Sequence, residues 1–124
     1  MTNCGTVLIV EDNDALREMF RRRLLRRGYE ILLAVNGEEG VLRATEFTPD
    51  LILLDMSLPG KNGWMIANEL KSEERTKNIP VIAITAHAMR GDREKALQAG
   101  CNDYVSKPIH FATLYKVMDQ LIQK

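Results

Sequence analysis

With 124 residues and a mass of 14.1 kDa, the chain is long enough to bury one hydrophobic core, and we expect a single domain over residues 1–124. Its 17 basic and 17 acidic residues cancel, which argues against binding nucleic acid or anionic lipid through overall charge. No apolar run approaches the ~20 residues of a membrane helix, there is no secretory signal pattern, and Cys4 and Cys101 are far apart, so we expect a cytoplasmic protein with free thiols.

Short aliphatic runs alternate with amphipathic stretches along the chain. The aliphatic runs, typical of strands buried on both faces, are 6–10, 29–35, 51–54, 81–84 and 102–106. Helices are predicted after them, beginning at Asn13 or Asp14, at Asn36-Gly37, at Gly63, near Asp92 and at His110. Helical spacing predicts packing faces that contain Leu16, Met19, Phe20 and Leu24 in the first helix, and Val41, Leu42 and Ala44 in the second.

Five strand–helix units in succession predict the fold class. Strands that are continuously apolar belong to a parallel sheet covered by helices on both faces. Right-handed crossovers and five units favour the doubly wound, flavodoxin-like α/β fold with strand order 2-1-3-4-5. In such a sheet ligands bind outside the carboxyl ends of the strands, where the strand order reverses.

Polar residues follow the predicted strands at that edge. Glu11 and Asp12 follow the first strand, Asp55 ends the third, Thr85 follows the fourth and Lys107 follows the fifth. Carboxylates a few ångströms apart repel by about 4 kcal/mol per pair at a surface-like dielectric. Oxygen ligands without Cys or His favour Mg²⁺, with Mn²⁺ as an alternative.

The remaining groups suit a phosphoryl group. The Thr85 hydroxyl and the Lys107 ammonium can donate to its oxygens, and Asp55 at the centre can act as the nucleophile that forms an acyl phosphate. Asp55 alone could instead be an ordinary strand-end residue, and Glu11 and Asp12 could simply favour a helix start.

Four segments together resemble the signatures of response-regulator receiver domains, the phospho-acceptor partners of histidine kinases. They are VEDND at the first strand, LLDMSLPGKNG around Asp55, ITAHA at Thr85 and YVSKP at Lys107. The resemblance covers nearly the whole chain. It implies a two-component or phosphorelay switch, not an enzyme in the usual sense, that catalyses its own phosphorylation and dephosphorylation at Asp55 in a Mg²⁺-dependent way.

The resemblance also implies roles for individual residues. Asp12, Asp55 and the Ser57 backbone carbonyl would bind Mg²⁺ directly, with Glu11 completing the acidic pocket. Lys107 would pair with the phosphate, and Lys107-Pro108 would be a cis peptide bond, which X-Pro tolerates readily.

Further implied roles concern signalling. Thr85 would move towards the phosphate and Tyr104 would swing inward, although Tyr104 could also be half-buried packing. The residues expected at the mouth of the site are Met56, Ser57, Ala86 and His87. The expected partners are a histidine kinase or a histidine phosphotransfer protein, and a downstream protein at the helix 4–strand 5–helix 5 face, without nucleic acid or membrane.

Several alternatives are weaker. A haloacid-dehalogenase-type phosphatase would need a second acid where Ser57 stands, and a dinucleotide-binding module would need a Gly-rich turn after the first strand. A degenerate receiver used only for binding would have lost part of the acid–Thr–Lys set. The Arg21–Arg27 run is read mainly as a solvated helix face, with partner docking as the alternative. We expect a stand-alone regulator, and a receiver from a longer chain is the other possibility.

Overall fold

The computed structural model describes residues 4–58, 60, 62–86 and 92–122, without the side chains of residues 92 and 93. Strands and helices alternate throughout, as predicted. The strands are β1 (Thr6–Val10), β2 (Glu30–Ala34), β3 (Leu51–Asp55), β4 (Val81–Thr85) and β5 (Asp103–Ser106). The helices are α1 (Asp14–Arg26), α2 (Gly37–Phe47), α3 (Gly63–Ser72), α4 (Asp92–Gln98) and α5 (Phe111–Leu121).

The five strands form one parallel sheet in the order β2-β1-β3-β4-β5, which confirms the predicted doubly wound fold. Every residue of β3 and β4 is buried, as expected for central strands with helices on both faces. In the register, Val10 lies beside Leu54 and Asp55 lies beside Ile84. The strands therefore end together, and the residues that follow them share one edge.

The core consists of two layers, because successive strand residues point to opposite faces of the sheet. Val7, Ile9, Leu51 and Leu53 pack with the apolar faces of α1 and α5, whereas Leu8, Val10, Ile52 and Leu54 pack with those of α2, α3 and α4. Asp55 continues the set of alternate β3 residues on the α1 and α5 side. Its side chain thus emerges from the core layer that lies under α1.

Asparagine side chains cap three of the helices. Asn13, Asn36 and Asn62 each accept a hydrogen bond, through the side-chain oxygen, from the backbone N–H three residues further on. Such a bond satisfies an N–H group that has no partner within the helix. Of the two predicted caps for α1, the structure selects Asn13, and Asp14 becomes the first helical residue.

Burial was predicted wrongly for two of the apolar helix residues. Leu42 is 64% exposed and Met19 is 40% exposed, although both follow the helical spacing of their neighbours. Helical spacing alone therefore did not separate the buried from the exposed apolar residues of these helices. The rest of these two sets are buried or partly buried, including Phe20, Leu24 and Ala44.

The arginine run of α1 has two environments. Arg21 and Arg22 pair with Glu18 on the solvent side of the helix. Arg23 and Arg27 instead lie over aromatic rings of α5, with guanidinium carbons 4.6 and 4.1 Å from the ring centres of Phe111 and Tyr115. The prediction of a solvated face therefore holds for part of the run, and the rest packs α1 against α5. Within the described residues, no helix has the length and apolarity needed to cross a membrane.

Candidate functional site

Asp55 lies at the centre of the strand-end edge. Only 2% of its surface is exposed, and both side-chain oxygens have partners. Oδ1 accepts a hydrogen bond of 2.9 Å from the backbone N–H of Ser57, and Oδ2 lies 3.3 Å from the Lys107 ammonium nitrogen. A buried carboxylate is stable only with such partners. One oxygen is thus fixed by the backbone and the other faces a cation.

Three carboxylates meet at this edge. Oxygens of Glu11, Asp12 and Asp55 all lie within 4.8 Å of one another. Asp12 is exposed, whereas Glu11 is 1% exposed and accepts a hydrogen bond of 3.1 Å from the Asn13 N–H through Oε2. Its other oxygen, Oε1, has no hydrogen-bond partner among the described residues. A buried acceptor of this kind costs free energy unless a hydrogen-bond donor or a cation lies beside it.

The protonation of Glu11 reflects the same crowding. Burial raises the pKa of Glu11 from 4.5 to about 7, and the nearby Asp55 carboxylate adds to the rise, against the lowering effects of the Asn13 N–H and Lys107. A divalent cation between the carboxylates would offset this repulsion and give Oε1 a partner. Oxygen donors alone suit Mg²⁺, so the residues fit the metal that the sequence predicts.

The predicted phosphate donors lie beside the acids. Thr85 ends β4 and is 5% exposed. Its carbonyl accepts a hydrogen bond of 2.7 Å from the Lys107 N–H, which joins the ends of β4 and β5. The peptide bond between Lys107 and Pro108 is cis. Tyr104 is half-buried on β5 and contributes to a groove of about 320 Å³ with α5 residues that include Thr113 and Val117.

The predicted mouth residues have different positions. Ser57, which follows β3, and Ala86, which follows β4, are both exposed at the strand ends. Met56 is 5% exposed and packs in the core layer with α3, so its side chain does not lie at the exposed mouth where we expected it. Its backbone N–H is bonded to the Ile84 carbonyl, which extends the pairing of β3 with β4, and its side chain points to the same face as those of Ile52 and Leu54. His87 lies outside the described residues.

Sequence reasoning missed Arg17. Its guanidinium donates from Nη1 to the Glu11 backbone carbonyl at 2.9 Å and pairs through Nη2 with Asp14. An arginine in the first turns of the helix that follows two acids is the only signal in the sequence, and it is a weak one.

The combined geometry defines a class of protein. At the carboxyl ends of the strands of a parallel α/β sheet, a buried carboxylate lies between two further acids, with which it could hold a metal ion, and a lysine, and a buried threonine ends the next strand. Such a site can hold a divalent ion and a phosphoryl group together, with a carboxylate oxygen as the acceptor.

Comparisons with known proteins agree with that class. Residues 7–119 match the family model described as "Response regulator receiver domain". The chain is 45% identical over 104 residues to the polar-differentiation response regulator DivK of Brucella anthropi, covering 84% of this chain and 85% of that protein. The chain belongs to the response regulator receiver domain family.

Solved structures support the assignment. The receiver domain of the sensor histidine kinase PA1611 from Pseudomonas aeruginosa, solved with a magnesium ion in its active-site cleft, is 36% identical with a TM-score of 0.88, over 95% of this chain and 97% of that one. The chemotaxis protein CheY4 of Vibrio cholerae is 24% identical with a TM-score of 0.88, over 94% and 98% of the two chains, and shows the shared fold.

Family membership has direct consequences for function. The protein is a receiver domain of two-component signalling, a class of signalling switches and not of classical enzymes. Domains of this family bind Mg²⁺ in the active site, and they generally interact with histidine kinases or histidine phosphotransfer proteins.

Proposed function

We propose that residues 1–124 act as one receiver domain that accepts a phosphoryl group on Asp55 from a phosphohistidine donor, with Mg²⁺ bound in the acidic pocket. The observation that carries this proposal is the environment of Asp55. It is a 2%-exposed carboxylate 3.3 Å from the Lys107 ammonium and within 4.8 Å of two further acids.

Asp12, Asp55 and the Ser57 carbonyl would hold the metal, and Glu11 Oε1, which lacks a partner among the described residues, would complete the pocket. When bound, Mg²⁺ neutralises charge on the phosphoryl oxygens and on the acids around them. Mn²⁺ has similar oxygen preferences and would substitute for it.

The chain's own groups perform the transfer. A carboxylate oxygen of Asp55 bonds to phosphorus as the bond between phosphorus and the donor imidazole nitrogen breaks. The electron pair of that bond remains on the imidazole nitrogen, which is then protonated from solvent. Lys107, already 3.3 Å from Oδ2, stays paired with the new phosphoryl group, and the Thr85 hydroxyl donates to it. Attack by water on the acyl phosphate later releases inorganic phosphate and restores Asp55.

Phosphorylation adds about −1.5 to −2 charges to the site, so the surrounding donors must rearrange. In the proposed switch Thr85 moves towards the phosphate and Tyr104 turns inward from its half-buried position. The groove that Tyr104 shares with α5 would change shape, and the downstream protein would bind at this α4–β5–α5 face. No direct binding to nucleic acid or membrane is part of the proposal, and the proposed compartment is the cytoplasm.

The proposal is tested by intact mass after incubation with phosphoramidate and Mg²⁺. Addition of one phosphoryl group is expected in the wild type, and none in Asp55→Asn or in the presence of a chelator. Glu46→Gln, which neutralises an exposed carboxylate of α2, serves as the matched control and should be phosphorylated normally. Equal phosphorylation of Asp55→Asn and wild type would contradict the proposal.

The switch has its own test. Amide NMR spectra of the protein are compared with and without beryllofluoride, which mimics a phosphoryl group on a carboxylate. Shifts in β5 and α5 residues around Tyr104 are expected in the wild type and should be much reduced in Thr85→Ala. Identical spectra at this face in the two states would contradict the proposed switch.

A further inference from the structure

Arg17 makes an unusual contact with the backbone of the acidic pocket. It is the fourth residue of α1, and only 16% of its side chain is exposed. Nη1 donates 2.9 Å to the Glu11 carbonyl, and Nη2 is bonded to Asp14. An arginine is rarely buried without partners, so this guanidinium is held in a defined orientation by two acceptors.

The acceptor carbonyl has a special position in the chain. It belongs to the peptide unit that joins Glu11 to Asp12. Because a peptide unit is planar, a bond that fixes its oxygen also fixes the line between the two Cα atoms. The bond from Arg17 therefore orients the two acids at once, one of them buried and the other exposed.

Neighbouring bonds hold the units on either side of this peptide. The Glu11 N–H donates 3.0 Å to the Ala34 carbonyl, and the Asn13 N–H donates 3.1 Å to Glu11 Oε2. With these bonds made, Glu11 Oε1 is left without a hydrogen-bond partner in the described part of the chain. The bond from Arg17 restrains the peptide unit between Glu11 and Asp12, which the other two bonds do not hold.

Helix geometry explains how Arg17 reaches this carbonyl. Side chains of a helix point back towards its N-terminus, so an arginine at the fourth position extends over the first turn. Its planar fork can bond the carbonyl and Asp14 at the same time, whereas lysine would present a single ammonium nitrogen.

We propose that Arg17 is a positioning residue for metal binding, which preorganises Glu11 and Asp12 by holding the peptide between them. The proposal rests on the Mg²⁺ site of the proposed function. Positioning and simple electrostatics predict opposite results for its removal. Loss of a positive charge near the pocket would tighten binding of a divalent cation, whereas loss of positioning would weaken it.

The test is a Mg²⁺ titration of Arg17→Met, followed by the fluorescence of Trp64, the single tryptophan, one residue beyond Gly63, whose N–H faces the Met56 carbonyl. Methionine retains the apolar stem of the side chain. We expect the dissociation constant to rise about 10-fold, the lower end of the range for losing a group that supports metal ligands. The phosphorylation rate at saturating Mg²⁺ should stay close to wild type.

Two further variants separate charge from positioning. Arg17→Lys keeps the charge and loses the fork, so a weaker affinity is expected if positioning matters. Arg22→Met removes a 73%-exposed arginine of the same helix that bonds only the Glu18 side chain in the described contacts, and it should bind Mg²⁺ like the wild type. Urea unfolding of each variant establishes that it is folded under the assay conditions.

Wild-type or tighter affinity in both Arg17 variants would overturn the inference and leave the proposed function intact. Failure of the wild type itself to bind Mg²⁺ would overturn the proposed metal site, and this inference with it. A higher dissociation constant together with an equal fall in the rate at saturating Mg²⁺ would also count against Arg17, because it would indicate general damage to the site.

Discussion

Asp55→Asn should stabilise the metal-free protein at pH 8, although it removes the central functional group. The substitution is nearly isosteric, and the asparagine oxygen can still accept the hydrogen bond from the Ser57 N–H. It relieves the repulsion of Asp55 by Glu11 and Asp12, and it loses the attraction to Lys107.

The distances between the charged groups decide whether Asp55→Asn raises or lowers the stability. At an effective dielectric of about 20, two unit charges at the 4.8 Å upper limit of the acidic cluster repel by about 3.5 kcal/mol, so two such pairs give about 7 kcal/mol. The ion pair between Lys107 and Asp55 at 3.3 Å contributes about −5 kcal/mol on the same basis. The difference favours the variant by about 2 kcal/mol, and the removal of a buried charge acts in the same direction.

The same reasoning predicts a dependence on pH. At pH 6 Glu11 is largely protonated, since its pKa is raised to about 7, and its share of the repulsion disappears. Without the repulsion of about 3.5 kcal/mol from Glu11, the Coulomb balance changes from about +2 to about −1.5 kcal/mol, so the stability advantage of Asp55→Asn should be lost at pH 6. Urea unfolding in the presence of a chelator, at pH 8 and pH 6, measures both values, with Glu46→Gln as the exposed-carboxylate control. A variant less stable than the wild type at pH 8 would refute the reasoning.

Three further predictions concern other groups. Because the pKa of Glu11 is raised in the folded state, from 4.5 to about 7, its contribution to stability is present below pH about 4.5 and lost as the pH rises through 7. The chelator-treated protein should therefore lose stability over this range, and Glu11→Gln should remove that dependence on pH. A wild-type stability that does not change over this range would contradict the prediction. Gly63→Ala should destabilise the fold by about 1–3 kcal/mol despite alanine's better helix propensity, because the added Cβ would lie 2.5 Å from the Met56 Cα. Thermal or urea unfolding measures the effect, and a more stable variant would show that the contact relaxes. Iodoacetamide should modify Cys4 and spare Cys101, whose pKa burial raises to about 12, and peptide mapping of the native protein checks this; modification of Cys101 before unfolding would be the contrary result.

The fold and the centre of the site were predictable because they depend on local patterns and one topological rule. Aliphatic runs locate the strands, and the rule that ligands bind at the carboxyl ends of the strands is enough to place Asp55 near Glu11. The start of the first helix was predicted as Asn13 or Asp14, which could not be separated because both residue types cap helices and the choice depends on which N–H the side-chain oxygen reaches. The cap at Asn62 was not predicted.

Features that depend on long side chains and tertiary contacts were not predictable. Arg17 reaches back across a helix turn, and Arg23 packs on an α5 ring, because of distances that exist only in the folded chain. The prediction of burial from helical spacing failed for the same reason. Leu42 has the spacing of a packing residue, yet it is exposed in the folded chain. Met56 continues the alternation of Ile52 and Leu54 and packs in the same core layer, so the strand pattern points its side chain away from the mouth that the resemblance implied.

The most direct measurement is chemical mapping of the phosphorylated residue. The protein is treated with phosphoramidate and Mg²⁺ and then reduced with borohydride, which converts an aspartyl phosphate to homoserine, and the peptides are sequenced by mass spectrometry. The predicted result is homoserine at position 55 alone, absent when Mg²⁺ is chelated. Homoserine at Asp12 or another carboxylate, or phosphate that resists borohydride, would contradict the assignment of Asp55 as the phosphoryl acceptor.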